Sequence, residues 1–591
     1  MIKIFISTFF YISISSLILA GHPITIDGLF DDWEDVPITY QDTHNDDIDA
    51  DFSMVKVTND SEFIFLYVKF HEAEFLMQNW NNFHLYIDAD NNFNTGKLYH
   101  GIGADLIWCF GERSGLKIID GVEEEIYQND LKLRIAPTVT SGEFEIGIDR
   151  NSEIITMNNS QEFYNGKIVF SEFNYDTELG DLLPNESGGI LVSISENLVP
   201  EVSKISLQKL NDNAIRIISY NTLNEGILDE EREIYFKRII QSVNPDIIAL
   251  QEHGEWEEIL GIVQTWFPDS QWYKTWTYRD LVILSRFEII DDASFISSGR
   301  TMVALLNTEN EFGKNILIFN SHLSCCDNDE SRQHQVDEFS SLWREWVQNN
   351  NGPFAIEVGT PFLHLGDFNF VGFNQQIKTL KFGDIVNENE YGGDFFPDWD
   401  GTHVVDLFSR HNQKRMGYTW RNDGSSFNPG KLDYIFYSDA TLNIEKHYIL
   451  NTLSMDQDDL INNSLNRFDT QLASDHLPII ADLIYLDNNV KIKDNFILPD
   501  SIHLYPNAPN PFNPKTTIKY FLERDALVKV TVYDIMGKNI IRLVNNFQNS
   551  GYHSLEWDAI NFKGEDVSAG VYICVLETET HQNVQKMILI K

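Results

Sequence analysis

Five places along the chain end or open an apolar run on a group that can hold a cation or carry a proton. Asn221 follows "IRIISY", Glu252 follows "DIIALQ" and His322 follows "ILIFNS". Asp367 and Asn369 follow "FLHLG", and Asp475 with His476 stands just ahead of "LPIIADL". Successive strand residues face opposite ways, so Asp367 and Asn369 point to the same side. A buried polar group left unpaired costs about 1–3 kcal/mol when neutral and more when charged. Five such interruptions in one region are therefore expected to converge, and convergent strand ends in a layered α/β domain form a cleft.

The set is rich in oxygen: the carboxylates of Glu252 and Asp475 and the side-chain carbonyl of Asn221, with no thiolate among them. Oxygen ligands select Mg²⁺, Mn²⁺ or Ca²⁺ over Zn²⁺. There is no Walker-type glycine-rich loop to cradle a nucleotide and no G-x-S-x-G elbow for a serine nucleophile. Two histidines beside a hard-metal site suit attack of water on phosphorus. The metal offsets phosphate charge and a His–Asp pair handles protons.

These groups lie within residues 213–485, where strands and helices alternate. "AIRIISYN" reads as a strand. "DEEREIYFKRIIQSV" reads as a helix, acidic at its start, with Ile234, Ile239 and Val243 at helical spacing. A second helix over 331–349 places Val336, Phe339, Leu342, Trp343 and Trp346 on its buried side. Arg332 and Gln333 read as helix-start residues and Trp420 as packing beneath the site. With "FLHLGDFN", "LDYIFYS" and "PIIADLIY" as further strands, an α/β layered domain follows.

Residues 21–200 carry short β-rich runs such as "FIFLYVKF" and "FHLYIDAD" between polar turns, the pattern of a β-sandwich. The loop "DADNNFNTG" offers Asp88, Asp90 and Asn92, with Asp105 further on, as oxygen donors for a structural Ca²⁺. Residues 487–502 are polar and read as a linker, and 503–591 as a small β-sandwich.

The 591 residues suggest several domains, and 42% hydrophobic content suffices for large cores. A formal charge of −47 repels long polyanions at a distance and excludes a general nucleic-acid coat protein. Local cations and a bound metal can still admit a phosphate. "MIKIFISTFFYISISSLILA", residues 1–20, reads as a secretory signal, and no later stretch is long and apolar enough to cross a bilayer. The four cysteines, Cys109, Cys325, Cys326 and Cys574, form neither a metal pattern nor a disulfide scaffold.

In order, "SYNTL", "LQE", "LSR", "NSHL", "GDFN", "LDYIF" and "SDHLPI" resemble the endonuclease/exonuclease/phosphatase superfamily over most of 213–485. The resemblance implies a four-layer α/β sandwich on two packed sheets. It implies that Glu252 is the main metal ligand, with Asn221 on metal or phosphate and Asp475 completing the metal environment. His476 would contact the phosphate and transfer a proton, Asp433 would orient His476, and His322 would be the second histidine. Asp367 would align or deprotonate water, and Asn369 would hold phosphate or Asp367. Abasic-site endonucleases carry an acidic residue just after the first Asn, and "NTLNEG" has none at the matching place.

The opening "ITIDGLFDDWEDVP" and the "YIDADNNFNTG" loop resemble carbohydrate-binding-module family 9-like sandwiches, which implies a glycan partner. "YPNAPNPFNPKTTIKYFL" through "AGVYICVL" resembles the secretion-sorting domain of exported Bacteroidetes-type proteins, an Ig-like module. It implies passage through outer-membrane secretion machinery, then release or surface attachment. The expected activity is a secreted, divalent-metal-dependent phosphodiesterase acting on nucleic acid. One alternative is a sphingomyelinase-type phospholipase C, with "DFFPDW" at 394–399 as an exposed aromatic loop. The other is a glycan-binding surface protein with an inert central domain.

Overall fold

The computed structural model describes residues 22–486 apart from 43–50, 72–73, 80, 153–154, 156–164, 175–178, 194–200 and 255–257. It also describes 503–590 apart from 505–506, 508–509, 511, 523–525, 536–537, 549–550, 564–566 and 579–581. The expected signal at 1–20 and linker at 487–502 lie outside the described residues. The chain divides into two compact units, 1–492 and 493–591.

At the centre of the first unit are two six-stranded sheets. One runs Tyr273–Lys274, Val282–Ser285, Ile247–Gln251, Ile215–Asn221, Ile479–Tyr485 and Leu442–Ile449. The other runs Ile289–Ser294, Thr301–Leu306, Ile316–His322, Phe362–Asp367, Asp433–Tyr437 and Val405–Asp406. Each has one parallel pair, Ile215–Asn221 with Ile247–Gln251 and Ile316–His322 with Phe362–Asp367. In both pairs the two C-terminal ends fall side by side, which is where the polar residues sit.

The sheets pack face to face through Ile217, Ala249 and Ile283 on one side and Ile318, Leu363, Leu365 and Ile435 on the other. Helices cover the outer faces. Helix Glu233–Val243 buries Phe236, Ile239, Ile240 and Val243 against Ile218, Tyr220, Ile248 and Leu250. Ile234, expected on the same buried face, is instead 45% exposed, because at 100° per residue it falls on the side opposite Phe236, Ile239, Ile240 and Val243. Helix Asp329–Asn349 buries Val336, Phe339, Trp343 and Trp346, while Leu342 is half-buried at its flank. Strands covered on both faces read as unbroken apolar runs, which explains "FLHL" and "DIIAL".

The N-terminal region forms two antiparallel sheets around a core that includes Phe52, Leu66, Phe83, Trp108, Phe144 and Phe170. Its strand Phe63–Phe70 is buried on both sides. Ile64, Leu66 and Val68 face that core, whereas Phe63, Phe65 and Tyr67 belong to the cluster continuous with the central sheets. The leading segment also pairs with the central region: Ile26 donates its N–H to Arg415 O at 3.1 Å and accepts from Gly417 N at 2.8 Å. The sandwich thus has its own core and adds one face of strand Phe63–Phe70 to the apolar cluster of the α/β layers.

The second unit has sheets of three and four strands closed over Phe512, Ile518, Tyr520, Val530, Trp557, Cys574 and Met587. All four cysteines are free, with Cys109 and Cys574 buried. Among the described residues no helix is long and apolar enough to cross a membrane.

Candidate active site

The strand ends of the two central sheets are drawn together by buried polar bonds. Gln251 Nε2 donates to Asn320 Oδ1 at 2.7 Å, across the gap between the sheets, directly before Glu252 and close to His322. Both residues are fully buried, so this bond resists exchange with water and fixes the height of one sheet against the other. Gly366 permits the second close approach. A Cβ there would lie 2.1 Å from the Ser321 carbonyl oxygen, and φ is +134°. Only glycine lets the Asp367 strand lie this close to the His322 strand.

Asp367 is the hub. Its Oδ2 accepts from Asn221 Nδ2 at 3.0 Å and from Asn369 Nδ2 at 3.1 Å. The same oxygen lies 3.7 Å from His322 Nε2 and 3.7 Å from His476 Nε2. Each histidine is held from behind: His476 Nδ1 is 2.8 Å from Asp433 Oδ2, and His322 Nδ1 is 2.6 Å from Asp280 Oδ2. The site therefore contains two carboxylate–imidazole pairs with a shared carboxylate between them.

Burial alone would lower the His476 pKa, but the charges of Asp433 and Asp367 outweigh it and raise it to about 10. His322 is raised for the same reason, by Asp280, Asp367 and Glu252 against the cost of burial. Burial pushes the Asp367 carboxyl up to about 6, with the two histidines acting in the opposite direction. Asp280 stays below the usual carboxylate range, because its bond to His322 and the nearby guanidinium groups of Arg279 and Arg300 exceed the burial penalty. The result favours both imidazoles in the protonated form, flanking a carboxylate of raised basicity.

Glu252 joins the hub through Asn221, whose Nδ2 donates to Glu252 Oε1 at 3.1 Å. Glu252 Oε2 accepts from Asn224 N at 2.9 Å. Leu223, Asn224 and Glu225 all have left-handed backbones, as does Glu252 at φ +55°. Such residues cost of order 1–3 kcal/mol each outside glycine, and that cost persists where surrounding bonds overdetermine the turn. Asn221 presents its amide nitrogen to the carboxylates, while its Oδ1 accepts from Leu223 N at 3.0 Å.

Asp475 stands beside His476. Its Oδ2 accepts from Trp420 Nε1 at 3.0 Å, and its Oδ1 is buried with no hydrogen-bond partner. Asp367, Asp433 and His476 bring ligand atoms within 4.8 Å of one another, whereas among the described residues Asp475 joins no such cluster and offers only its orphaned oxygen. Glu252, His322 and Asp367 also bring ligand atoms within 4.8 Å of one another.

Several residues that build the site were not visible as motifs. Thr419 Oγ1 accepts from Leu432 N at 3.0 Å and Asp433 N at 2.9 Å. The Thr419 carbonyl accepts from Leu477 N at 2.6 Å, and Arg421 N donates to the Asp475 carbonyl at 2.8 Å. The segment 419–421 thus grips both Asp433 and the residues flanking His476. Asp280 precedes an unremarkable strand, and Arg300 donates to the His322 carbonyl at 3.0 Å. Sequence spacing carried no signal for either.

Arg332 and Gln333, read as plain helix-start residues, are buried instead. Arg332 donates to Ser324 O, Cys326 O and Asp329 Oδ1, shaping the loop after His322. The aromatic residues of "DFFPDW" do not form an exposed loop: Phe395 and Trp399 are 1% and 2% exposed. Trp399 Nε1 donates to Thr360 O at 2.7 Å, and Trp343 Nε1 donates to Pro397 O at 2.9 Å, so this stretch packs against the side of the long helix.

The loop after Trp420 is braced by the N-terminal sandwich. Asn428 N donates to Gln78 Oε1 at 2.9 Å, and Arg113 lies 4.0 Å over the Phe427 ring. Asn129 Nδ2 donates to the Asp423 carbonyl.

Residues 218–476 match the model of the Endonuclease/Exonuclease/phosphatase family, and 504–591 match the Secretion system C-terminal sorting domain. Neither is a glycan-binding family. No curated protein matches the chain significantly. Among solved structures, the human Nocturnin catalytic domain is similar at 17% identity and TM-score 0.31, over 48% of this chain and 97% of that one. TDP2 from Caenorhabditis elegans is similar at 16% identity and TM-score 0.29, over 46% and 75%. The 3′ phosphatase NExo from Neisseria is similar at 15% identity and TM-score 0.29, over 45% and 98%. The two strand-end histidine–carboxylate pairs sit in a domain of the Endonuclease/Exonuclease/phosphatase family, a phosphoesterase- and nuclease-like fold, on a chain whose sorting domain marks it as secreted or attached at the cell surface.

Proposed function

We propose that this protein is a divalent-metal-dependent phosphodiesterase that hydrolyses nucleic acid outside the cell. The observation carrying this reading is the position of Asp367 Oδ2, 3.7 Å from each of two imidazole nitrogens. Asp367 accepts a proton from the attacking water. His476, kept protonated by Asp433, donates to the phosphate or to the departing oxygen. His322, kept protonated by Asp280, supports the phosphate from the other side, and Asn369 and Asn221 hold Asp367 in line. Arg300 and Arg279 add positive charge beside His322 and admit an anion despite the acidic chain.

Glu252 and Asp475 would hold the divalent cation, which when bound neutralises phosphate charge and aligns the scissile group. The burial of Phe395 and Trp399 argues against 394–399 as the exposed aromatic loop expected of a lipid-directed phospholipase C. An inert central domain gives no reason for two oriented histidine–carboxylate pairs.

The test is hydrolysis of DNA, RNA, sphingomyelin and inositol phosphates with Mg²⁺, Mn²⁺ or Ca²⁺, and again with EDTA. Cleavage of DNA or RNA that EDTA abolishes is the expected result. Preferential cleavage of sphingomyelin, or equal activity in EDTA, would overturn the proposal.

A further inference from the structure

In the N-terminal sandwich, far along the sequence from the catalytic strands, strand His84–Asp88 enters a turn and returns through the hairpin Lys97–Tyr99 and Ile102–Ala104. Asp88, Asp90 and Asp105 there bring carboxylate oxygens within 4.8 Å of one another. Asp88 is 1% exposed and Asp105 2%. Asp88 accepts from Asn92 N at 3.1 Å and Gly103 N at 3.3 Å, and Asp105 Oδ2 accepts from Ala89 N at 2.9 Å. Asp105 Oδ1, by contrast, is buried with no hydrogen-bond partner. Among the described residues no lysine, arginine or histidine is ion-paired with Asp88 or Asp105.

Three carboxylates in so small a buried volume repel one another, and amide donors alone do not neutralise them. A cation relieves the same repulsion and gives the orphaned oxygen a partner. Asn92, included in the donor set read from the sequence, has its Oδ1 accepting from Asn94 N at 3.2 Å, while Asp90 accepts from Asn92 N at 2.9 Å. The turn lies tight on the hairpin, since a Cβ at Gly103 would meet Thr95 O at 2.2 Å and Asn92 O at 2.6 Å.

We propose that Asp88, Asp90 and Asp105 form a structural Ca²⁺ site, separate from the catalytic cation, that locks this hairpin onto the sandwich. The donors are all hard oxygens, which excludes a preference for thiophilic or imidazole-seeking metals. They come from a strand end, a turn and a second strand end, a spread that suits the larger and geometrically tolerant Ca²⁺ over Mg²⁺.

The test uses the full mature chain stripped with EDTA. Glu252→Gln with Asp475→Asn blanks the catalytic cation, and Ca²⁺ is titrated by calorimetry alongside Tb³⁺ luminescence. One Ca²⁺ per chain is expected to remain, unmoved by equimolar Mg²⁺. Adding Asp105→Asn, or the half-buried and milder Asp90→Ser, should weaken it at least about tenfold. The thermal midpoint should rise with Ca²⁺ in the blanked chain but not after Asp90→Ser. No residual Ca²⁺ in the blanked chain, displacement by equimolar Mg²⁺, or unchanged binding in a folded Asp90→Ser chain would overturn the site. Catalysis is not the readout, so failure here leaves the phosphodiesterase reading standing.

Discussion

Thr419→Val is the sharpest probe of how the site is held. The two side chains have nearly the same shape, so no cavity opens, and only the oxygen is lost. That oxygen is the acceptor for the buried N–H groups of Leu432 and Asp433, at 3.0 and 2.9 Å. An orphaned buried donor costs about 1–3 kcal/mol, so the substitution should destabilise the first unit by about 2–6 kcal/mol. If the chain relaxes to recover those bonds, Asp433 must shift relative to His476, whose Nδ1 is now 2.8 Å away. A displacement of about 1 Å at a proton-transfer group lowers turnover on the order of 10²-fold. Urea unfolding gives the stability change, and steady-state hydrolysis of bis(p-nitrophenyl) phosphate gives the kinetic one. We expect kcat to fall about 10–100-fold with KM little changed, and Thr419→Ser to restore both. A Thr419→Val protein that loses stability but keeps wild-type kcat would show that the 419–421 segment does not position Asp433.

Asp280→Asn removes the charge that raises His322, so the His322 pKa should fall and the alkaline limb of the pH–rate profile should move to lower pH; an unmoved limb would remove Asp280 from the mechanism. Asp482→Ala strands the buried Arg216, now bound through Nε and Nη2 at 2.6 and 2.7 Å, and should cost about 3–5 kcal/mol in urea unfolding. His364 is fully buried and its pKa is pushed down to about 3 by burial alone. Its unfolded form binds a proton that the native form refuses, so its contribution is complete above about pH 6.5 and lost as pH falls toward 3. His364→Gln should therefore remove about 2 kcal/mol of stability change between roughly pH 7.5 and pH 5, and an unchanged dependence would mean the native imidazole titrates normally. Arg113→Ala removes the contact over Phe427 and the guanidinium bonds to Gln78 O and Ser426 Oγ, so it should lower kcat several-fold and cost about 1–3 kcal/mol of stability; a loss of stability with unchanged kcat would reduce its role to packing.

Much of the polar cluster proposed as the active site could be picked out because burial makes polar residues conspicuous. Asn221, Glu252, His322, Asp367 and His476 each break an apolar run, and a strand that is covered on both faces tolerates such a break only where it serves a site. The helix 331–349 was equally plain, because Val336, Phe339, Trp343 and Trp346 recur at helical spacing. The same logic misjudged "DFFPDW", where an aromatic-rich stretch between polar residues could as well be core as surface.

What the sequence determined was therefore local: which segments are strands, which are helices, and which residues cannot be buried without a partner. Which partners they find was decided by tertiary structure. Asp280 reaches His322 from 42 positions away and Thr419 reaches Asp433 from 14. The face of Phe63, Phe65 and Tyr67 that joins the sandwich to the catalytic sheets reads in sequence as one more hydrophobic strand. Periodicity reports on a residue's own element. Contacts between elements depend on how sheets stack and turns close, and no single stretch of chain encodes that.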